Sequence, residues 1–186
     1  MSGHAFQAVL GAAARGDERA FAVLWRQHQP SLLRYLEVMA PAAAEDLASE
    51  TWLRVVAGLG RFDGDERAFR AWLFTVARHR VIDRWRRLAR QPDPAPVEAL
   101  DQRPAPDDPA DQALEALSSR AAVAVVATLP PDQAEVVLLR VLAGLDVATV
   151  ARLVGKRPGT VRVLAHRALR RLAERLGDDL RVRGVL

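Results

Sequence analysis

Apolar residues return every three or four positions along most of this chain, and no sustained apolar-polar alternation appears. The first pattern lays a stripe along a helix and the second would line one face of a strand, so the periodicity predicts an all-α protein. Asp17 is placed to cap a helix whose Phe21, Leu24, Trp25, Leu32, Leu33 and Leu36 form one stripe, with Pro30 expected to kink or break it. A second helix is predicted from about Ala42 to Leu59, turning Leu47, Trp52, Leu53 and Val56 inward and Glu45, Asp46, Ser49 and Glu50 outward. Gly58, Gly60 and Gly64 punctuate the loop RFDGDER, and a third helix follows from about Arg67 to Leu88. In that helix Phe74, Ala77, Val81, Trp85 and Leu88 share a packing face, whereas Arg80, Arg84 and Arg87 recur along another. Three helices and a loop account for a first small domain, expected over residues 1–90.

Regular periodicity then fails. From Pro92 to Glu115 the chain carries six of its eleven prolines and seven acidic residues against the single Arg103, which neither sustains a helix throughout nor buries much surface. A linker is expected at 91–112, read as a solvated acidic spacer in preference to a negative strand lying in a basic channel. A second small domain is expected over 113–186. Its first helix spans Ala113 to Leu129, Pro130 and Pro131 stop it, and another runs from Asp132 to Leu142. Asp146 then caps a short helix with Val147, Val150, Ala151 and Leu153 inward. Gly155 permits the left-handed backbone of a sharp turn, and Pro158 suits the first turn of the helix that follows. Short helix, glycine turn and longer basic helix form the pattern of a helix-turn-helix.

Composition narrows the classes without choosing among them. Half of the 186 residues are hydrophobic, enough for a buried core, and cysteine is absent, which removes disulfides, thiol nucleophiles and cysteine-ligated zinc. No apolar run reaches the roughly 18 residues of a membrane span, and the first residues lack the basic start and apolar core of a signal peptide, so an intracellular, cytoplasmic protein is expected. The net charge of +4 is modest, but its distribution is not. Between Arg67 and Arg90 stand eight Arg against Asp83, and between Lys156 and Arg175 seven basic residues against Glu174. Helices exposed only to water usually mix signs, because like charges four apart repel, so both blocks point to a polyanion.

On the last helix Val161, Ala165, Ala168, Leu169, Leu172 and Leu176 line one stripe, which turns Thr160, Val163, Arg167, Arg170 and Arg171 outward. Such a helix suits the major groove of duplex DNA: its cations neutralise phosphates, and an outward Val163 can pack on a thymine methyl. A second cationic helix in a separate domain makes a single-operator repressor an incomplete account.

The stretches PAAAEDLASETWLRVV and FDGDERAFRAWLFTVARHRVIDRWRR resemble the second conserved region of extracytoplasmic-function (ECF, group IV) sigma factors of the sigma-70 family. LPPDQAEVVLLRVLAGLDVATVARLVGKRPGTVRVLAHRALRRL resembles their fourth region. The resemblance implies a protein that binds core RNA polymerase and directs promoter-specific initiation. It places Asp46, Leu47, Ser49, Glu50 and Leu53 on the polymerase clamp helices, Ser49 standing where the family usually has Gln. It assigns the loop residues Phe62, Asp63, Gly64 and Phe69, with Arg78, His79, Arg84, Arg86 and Arg87, to opening and holding the minus-ten element. Trp72 and Trp85, on apolar stripes, are expected in the core. Thr160, Arg162, Val163, His166, Arg167, Arg170 and Arg171 would address the minus-thirty-five duplex. His79 stands where the family often has Asn, which implies an altered base preference; Val163 and Leu164 stand where it often has Ser and Arg, so readout of the minus-thirty-five duplex is expected to lean on phosphate contacts and DNA shape. An anti-sigma factor is the implied regulator, no cofactor or metal is implied, and the short stretch after the last helix is expected to hold no further domain.

Two rival classes leave different marks. An enzyme would use His79 and Asp83, four apart on one helix, as a metal pair or a base with its orienter, but no HExxH, phosphate loop or nucleophile elbow accompanies them. Ion pairing of Asp83 with nearby Arg is the expected arrangement. A stand-alone helix-turn-helix regulator would bind duplex DNA tightly without polymerase, usually as a dimer.

Overall fold

The computed structural model describes residues 3–90 and 121–182, with side chains as far as Arg175. Every regular element within them is helical: α1 (Gly3–Ala14), α2 (Glu18–Met39), a 3-10 turn (Pro41–Ala43), α3 (Ala44–Leu59) and α4 (Glu66–Leu88) precede the undescribed stretch. A helical segment at 121–127, labelled α5, is followed by α6 (Pro131–Val141), α7 (Val147–Val154) and α8 (Pro158–Val182). The linker expected at 91–112 and the helix start expected at Ala113 lie outside the described residues.

The first domain holds four helices rather than three. Helix α1 buries Phe6, Leu10 and Ala13 at i, i+4 and i+7, a stripe easily overlooked because only two of the three are large. Asp17 caps α2 as expected, its carboxylate accepting the N–H groups of Arg19 at 2.9 Å and Ala20 at 3.1 Å. Pro30 does not break α2, which continues to Met39. Leu24 and His28 before the proline, and Leu32, Tyr35 and Leu36 after it, are all buried, and each fully buried Leu contributes about 1.5–3 kcal/mol against one missing backbone bond.

Several residues expected inside lie outside. Helix α3 buries Leu47, Ala48, Thr51, Trp52, Val55 and Leu59, and at about 100° per residue Leu53 projects away from that face; it is 72% exposed, and Val56 is 52% exposed. The buried stripe of α4 stops at Val81, which leaves Trp85 and Leu88 exposed at its end. Trp25 and Leu169 are likewise exposed, because Leu24 and Ala168 beside them take the inward positions.

In the second domain α7 and α8 form the corner and α6 packs along α8. Helix α6 is enclosed on every side, with Gln133 through Leu139 all buried. Its other side meets α2, so that Tyr35, Phe74, Val136, Leu139 and Leu145 belong to one continuous apolar cluster spanning both domains. Within it the Tyr35 hydroxyl donates to Oε1 of Glu135 at 3.3 Å. Burial first, and the Glu135 charge second, hold the Tyr35 phenol well above its ordinary pKa, so it stays protonated as a donor.

His28 shows the same physics with the opposite sign. Its ring is 3% exposed, lies 5.2 Å from the Phe69 ring, and its Nε2 has no hydrogen-bond partner among the described residues. Burial, with a smaller push from Arg70, lowers its pKa from 6.5 to about 4. The unfolded chain therefore binds this proton first, and the stability that neutral His28 provides is present above pH 6.5 and lost as the pH falls toward 4. Between pH 7 and 5 the wild type should lose about 2 kcal/mol that a His28→Leu variant does not, measured as the difference in urea midpoints.

Candidate nucleic-acid interface

Four surfaces collect the residues singled out in the sequence. The first is the loop joining α3 to α4. Asp65 caps α4 by accepting the Ala68 N–H at 2.7 Å, which fixes where the loop ends. Phe62 stacks on Trp72 with centroids 5.0 Å apart and planes at 16°, and meets Phe69 edge-on at 5.7 Å. Asp63 is exposed, and Phe62 and Gly64 are half-buried. Phe69 is fully buried, so it supports the loop from below and offers no surface to a ligand. A side chain at position 64 would place its Cβ 2.8 Å from Ala68 Cβ and 2.9 Å from Phe62 Cζ, so only glycine lets the loop lie this close. Gln7 of α1 pins the same residue by donating to its carbonyl at 2.9 Å.

Beside this loop lies an open cavity of about 420 Å³ bounded by Arg54, Gly58, Arg61, Phe62, Asp63 and Trp72. Trp72, expected in the core, is a half-buried wall of that cavity. Arg54 and Arg61 escaped the sequence reading, although Arg54, Gly58 and Arg61 follow one another at i, i+4 and i+7, the spacing that would have grouped them. The cavity combines a stacked aromatic wall, two guanidinium groups and a carboxylate. Those are the groups that receive an unstacked base and its phosphates.

The second surface is the cationic side of α4. His79, Arg86 and Arg87 are exposed and Arg84 is half-buried. Asp83 sits 3.8 Å from Arg80 and 3.9 Å from Arg86, the ion pairing expected of it. Arg78 stands apart from this group. One residue before His79, it points about 100° away, and its Nε–H donates to Oε1 of Glu135 at 2.8 Å.

The third surface is the outer side of α3, where Asp46, Ser49 and Leu53 are exposed and Glu50 is half-buried. Leu47 does not join them: it is 2% exposed and packs inward. What remains is an acidic rim around an exposed leucine.

The fourth is the helix-turn-helix. Oδ1 of Asp146 accepts the Thr149 N–H at 2.7 Å, Gly155 adopts φ +68° at the corner, and α8 begins at Pro158. Val161 and Ala168 anchor α8 inward. Thr160, Arg162, Val163, His166, Arg167, Arg170 and Arg171 are all exposed. His166, Arg167, Arg170 and Arg171 line a depression of about 410 Å³ with Gln133 and Glu174. Arg171 reaches Gln133 at 3.4 Å, and Arg170 pairs with Glu174 at 3.2 Å, the one acid against this cluster among the described residues. Among those residues no group of three or more His, Asp or Glu is placed to hold a metal, and no helix is long and apolar enough to cross a membrane.

Comparison with known proteins matches both halves of the chain. The family described as Sigma-70 region 2 matches residues 24–91, and Sigma-70, region 4 matches residues 119–172. The ECF RNA polymerase sigma factor BldN of Streptomyces coelicolor is 40% identical over 171 residues, covering 91% of this chain and 65% of that protein. ShbA of Streptomyces griseus is 37% identical and SigD of Mycobacterium tuberculosis 34%; they cover 89% and 95% of this chain and 92% and 86% of their own lengths. The fold is that of the sigma factor RpoE solved with the anti-sigma factor NepR from Bartonella quintana, at TM-score 0.63 and 24% identity over 84% of this chain and 96% of that one. It is also that of CnrH solved with the cytosolic domain of CnrY, at TM-score 0.61 and 22% identity over 94% and 99%.

If α8 meets phosphates, Arg167→Ala weakens duplex binding and lowers the slope of log affinity against log salt by about 1. Fluorescence anisotropy across a salt series measures both, and an unchanged slope removes Arg167 from the contact set.

Proposed function

The chain belongs to the ECF sigma factors of the sigma-70 family, and from that premise we propose how its surfaces divide the work of promoter-specific initiation. It is an alternative sigma factor of group IV that joins core RNA polymerase in the cytoplasm; catalysis stays with the polymerase. Residues 1–90 act as region 2 and 113–186 as region 4, with 91–112 between them. Asp46, Ser49, Glu50 and Leu53 dock on polymerase, where carboxylates meet cations and the exposed leucine is covered. The loop around Phe62, Asp63 and Gly64, with Arg54, Arg61 and Trp72 lining its cavity, receives a base of the minus-ten element as it leaves the stack. His79, Arg84, Arg86 and Arg87 follow the phosphates of the opened strand. Exposed residues of α8 from Thr160 to Arg171 enter the minus-thirty-five major groove. An anti-sigma factor regulates the protein by covering part of these surfaces, as the solved relatives' partners suggest.

The observation that carries this reading is the presence, on one chain, of a helix-turn-helix and a separate cationic module whose aromatic-lined cavity suits a single base. A stand-alone regulator has no use for the second. Run-off transcription from a genomic fragment library, using core polymerase with and without the protein, tests it. Initiation that depends on the protein, with starts sharing two upstream elements, is expected. A variant carrying Asp46→Arg and Glu50→Arg should bind core about tenfold or more weakly, a loss of about 1.4 kcal/mol or more. Tight duplex binding without polymerase, together with no core binding, would return the protein to the stand-alone class.

A further inference from the structure

The loop between α3 and α4 is braced by a helix that carries none of the residues assigned to DNA. Helix α1 lies ahead of residues 24–91, the stretch matched as Sigma-70 region 2, and packs on α2, α3 and α4. Phe6, Leu10 and Ala13 seat it, with the Phe6 ring 5.8 Å from that of Phe69, the floor of the loop. Gln7, beside Phe6, is exposed, and its Nε2 donates to the Gly64 carbonyl at 2.9 Å. Ala14 reaches the other end of the loop: a Cβ built on Gly60 would lie 3.9 Å from the Ala14 carbonyl oxygen. Positions 7 and 14 are i and i+7 and share one helix face, so α1 runs along the loop from end to end, about 10 Å at 1.5 Å per residue.

What Gln7 holds is a peptide plane. The start of the loop is closed locally, the Arg61 N–H donating to the Gly58 carbonyl at 3.0 Å and the Phe62 N–H to the Leu59 carbonyl at 3.1 Å. Its end is closed by Asp65, whose carboxylate is committed to the Ala68 N–H. Between these ends Gly64 has no side chain to anchor it, and the bond from Gln7 reaches its carbonyl from a different helix. Asp63, the residue before it, is exposed and turns a carboxylate to the cavity. A carboxylate accepts from the exocyclic amino group of a base, so its place decides which base fits. Glycine rotates more freely than any other residue, and without a tether at Gly64 the Asp63 carboxylate would sweep the mouth of the cavity.

We propose that Gln7 is a positioning residue for the minus-ten readout: through the Gly64 carbonyl it sets the place of the Asp63 carboxylate, and so the base that the cavity accepts, without touching DNA itself. The inference deepens the sigma factor reading and rests on it, since the cavity is the one that receives the unstacked base. Helix α1 thereby belongs to the reading machinery, although its own side chains face the loop and the core.

The test is a cycle between Gln7 and the captured base. Holoenzyme assembled from core polymerase and the full chain is bound to a promoter found by run-off transcription, its minus-ten region held open by mismatches. An abasic site is moved through that region, and the position whose base the wild type misses most is the captured one. Gln7→Met keeps the length and neutrality of the side chain and removes the donor. On intact DNA it should bind about fivefold more weakly, the size of one neutral hydrogen bond, and on abasic DNA it should match the wild type. The preference for the native base over the other three should shrink by the same factor. Gln7→Lys restores a donor, and its added charge acts on both DNAs alike, so the wild-type ratio between them should return. Equal losses by Gln7→Met on intact and abasic DNA, as a folding defect or a direct phosphate contact would give, overturn the proposal, and so does wild-type affinity on both. If no abasic position weakens the wild type, the cavity captures no base and the proposal falls with it. Run-off transcription keeps the two readings apart: initiation that depends on the wild-type protein while the cycle fails removes only the role of Gln7, whereas no initiation despite core binding counts against the sigma assignment itself.

Discussion

The first domain is organised around the ring of Phe69. Phe6 from α1 meets it at 5.8 Å, His28 from α2 at 5.2 Å, Phe62 from the loop at 5.7 Å and Trp72 at 6.0 Å. Three helices and a loop thus share one aromatic contact, and edge-to-face pairs of this kind contribute about 0.5–1.5 kcal/mol each beyond the area they bury. The consequence reaches the functional surface. A loop of six residues between two helices would ordinarily be free to move, yet Phe62 is held between a buried ring and a stacked indole, and Gly64 is tied to α1 through Gln7. The cavity at this loop is therefore shaped before any ligand arrives, which lowers the ordering cost of binding.

Charge follows a similar division between holding and reading. Cations that lie over the packed side of α4 find acids: Arg78 has Glu135, Arg67 has Asp146 and Arg70 has Glu66. Arg86 projects into solvent beside Asp83 and Arg87 is exposed next to it, and Arg162 and Arg167 rise from α8 with no ion pair among the described residues. A protein whose function was structural would gain by balancing these faces, since exposed pairs form at little cost. Their imbalance makes sense when phosphate supplies the missing charge.

How much of this was legible depended on how local each signal is. The helix-turn-helix was readable almost residue by residue, because Asp146, Gly155 and Pro158 declare a cap, a left-handed corner and a first turn through their own backbone preferences. All-α architecture followed from periodicity for the same reason. The misjudged positions were those decided by another element. Leu53 and Val56 fit an apolar stripe by spacing, yet among the described residues no helix covers that side of α3. Trp85 and Leu88 continue the stripe of α4 past the point where its neighbours end. Phe69 looked like a loop contact because it follows the loop in sequence, and only the packing of four aromatic partners shows it to be the floor. Arg78 matched its basic neighbours in type, and its partner stands 57 residues away, across a stretch whose length no periodicity argument can fold.

The two oxygens of Asp146 divide their duties. Oδ1 receives the Thr149 N–H that starts α7, while Oδ2 takes Arg67 from the other domain and the Thr149 hydroxyl at 3.2 Å. Losing Arg67 therefore leaves the cap in place, still satisfied by Thr149. A helix pair held this way leaves its neighbour as a finished rigid body, with no turn to rebuild afterward. Disturbing its contacts with α4 would therefore cost ion pairs and apolar contact, with no helix nucleation to add.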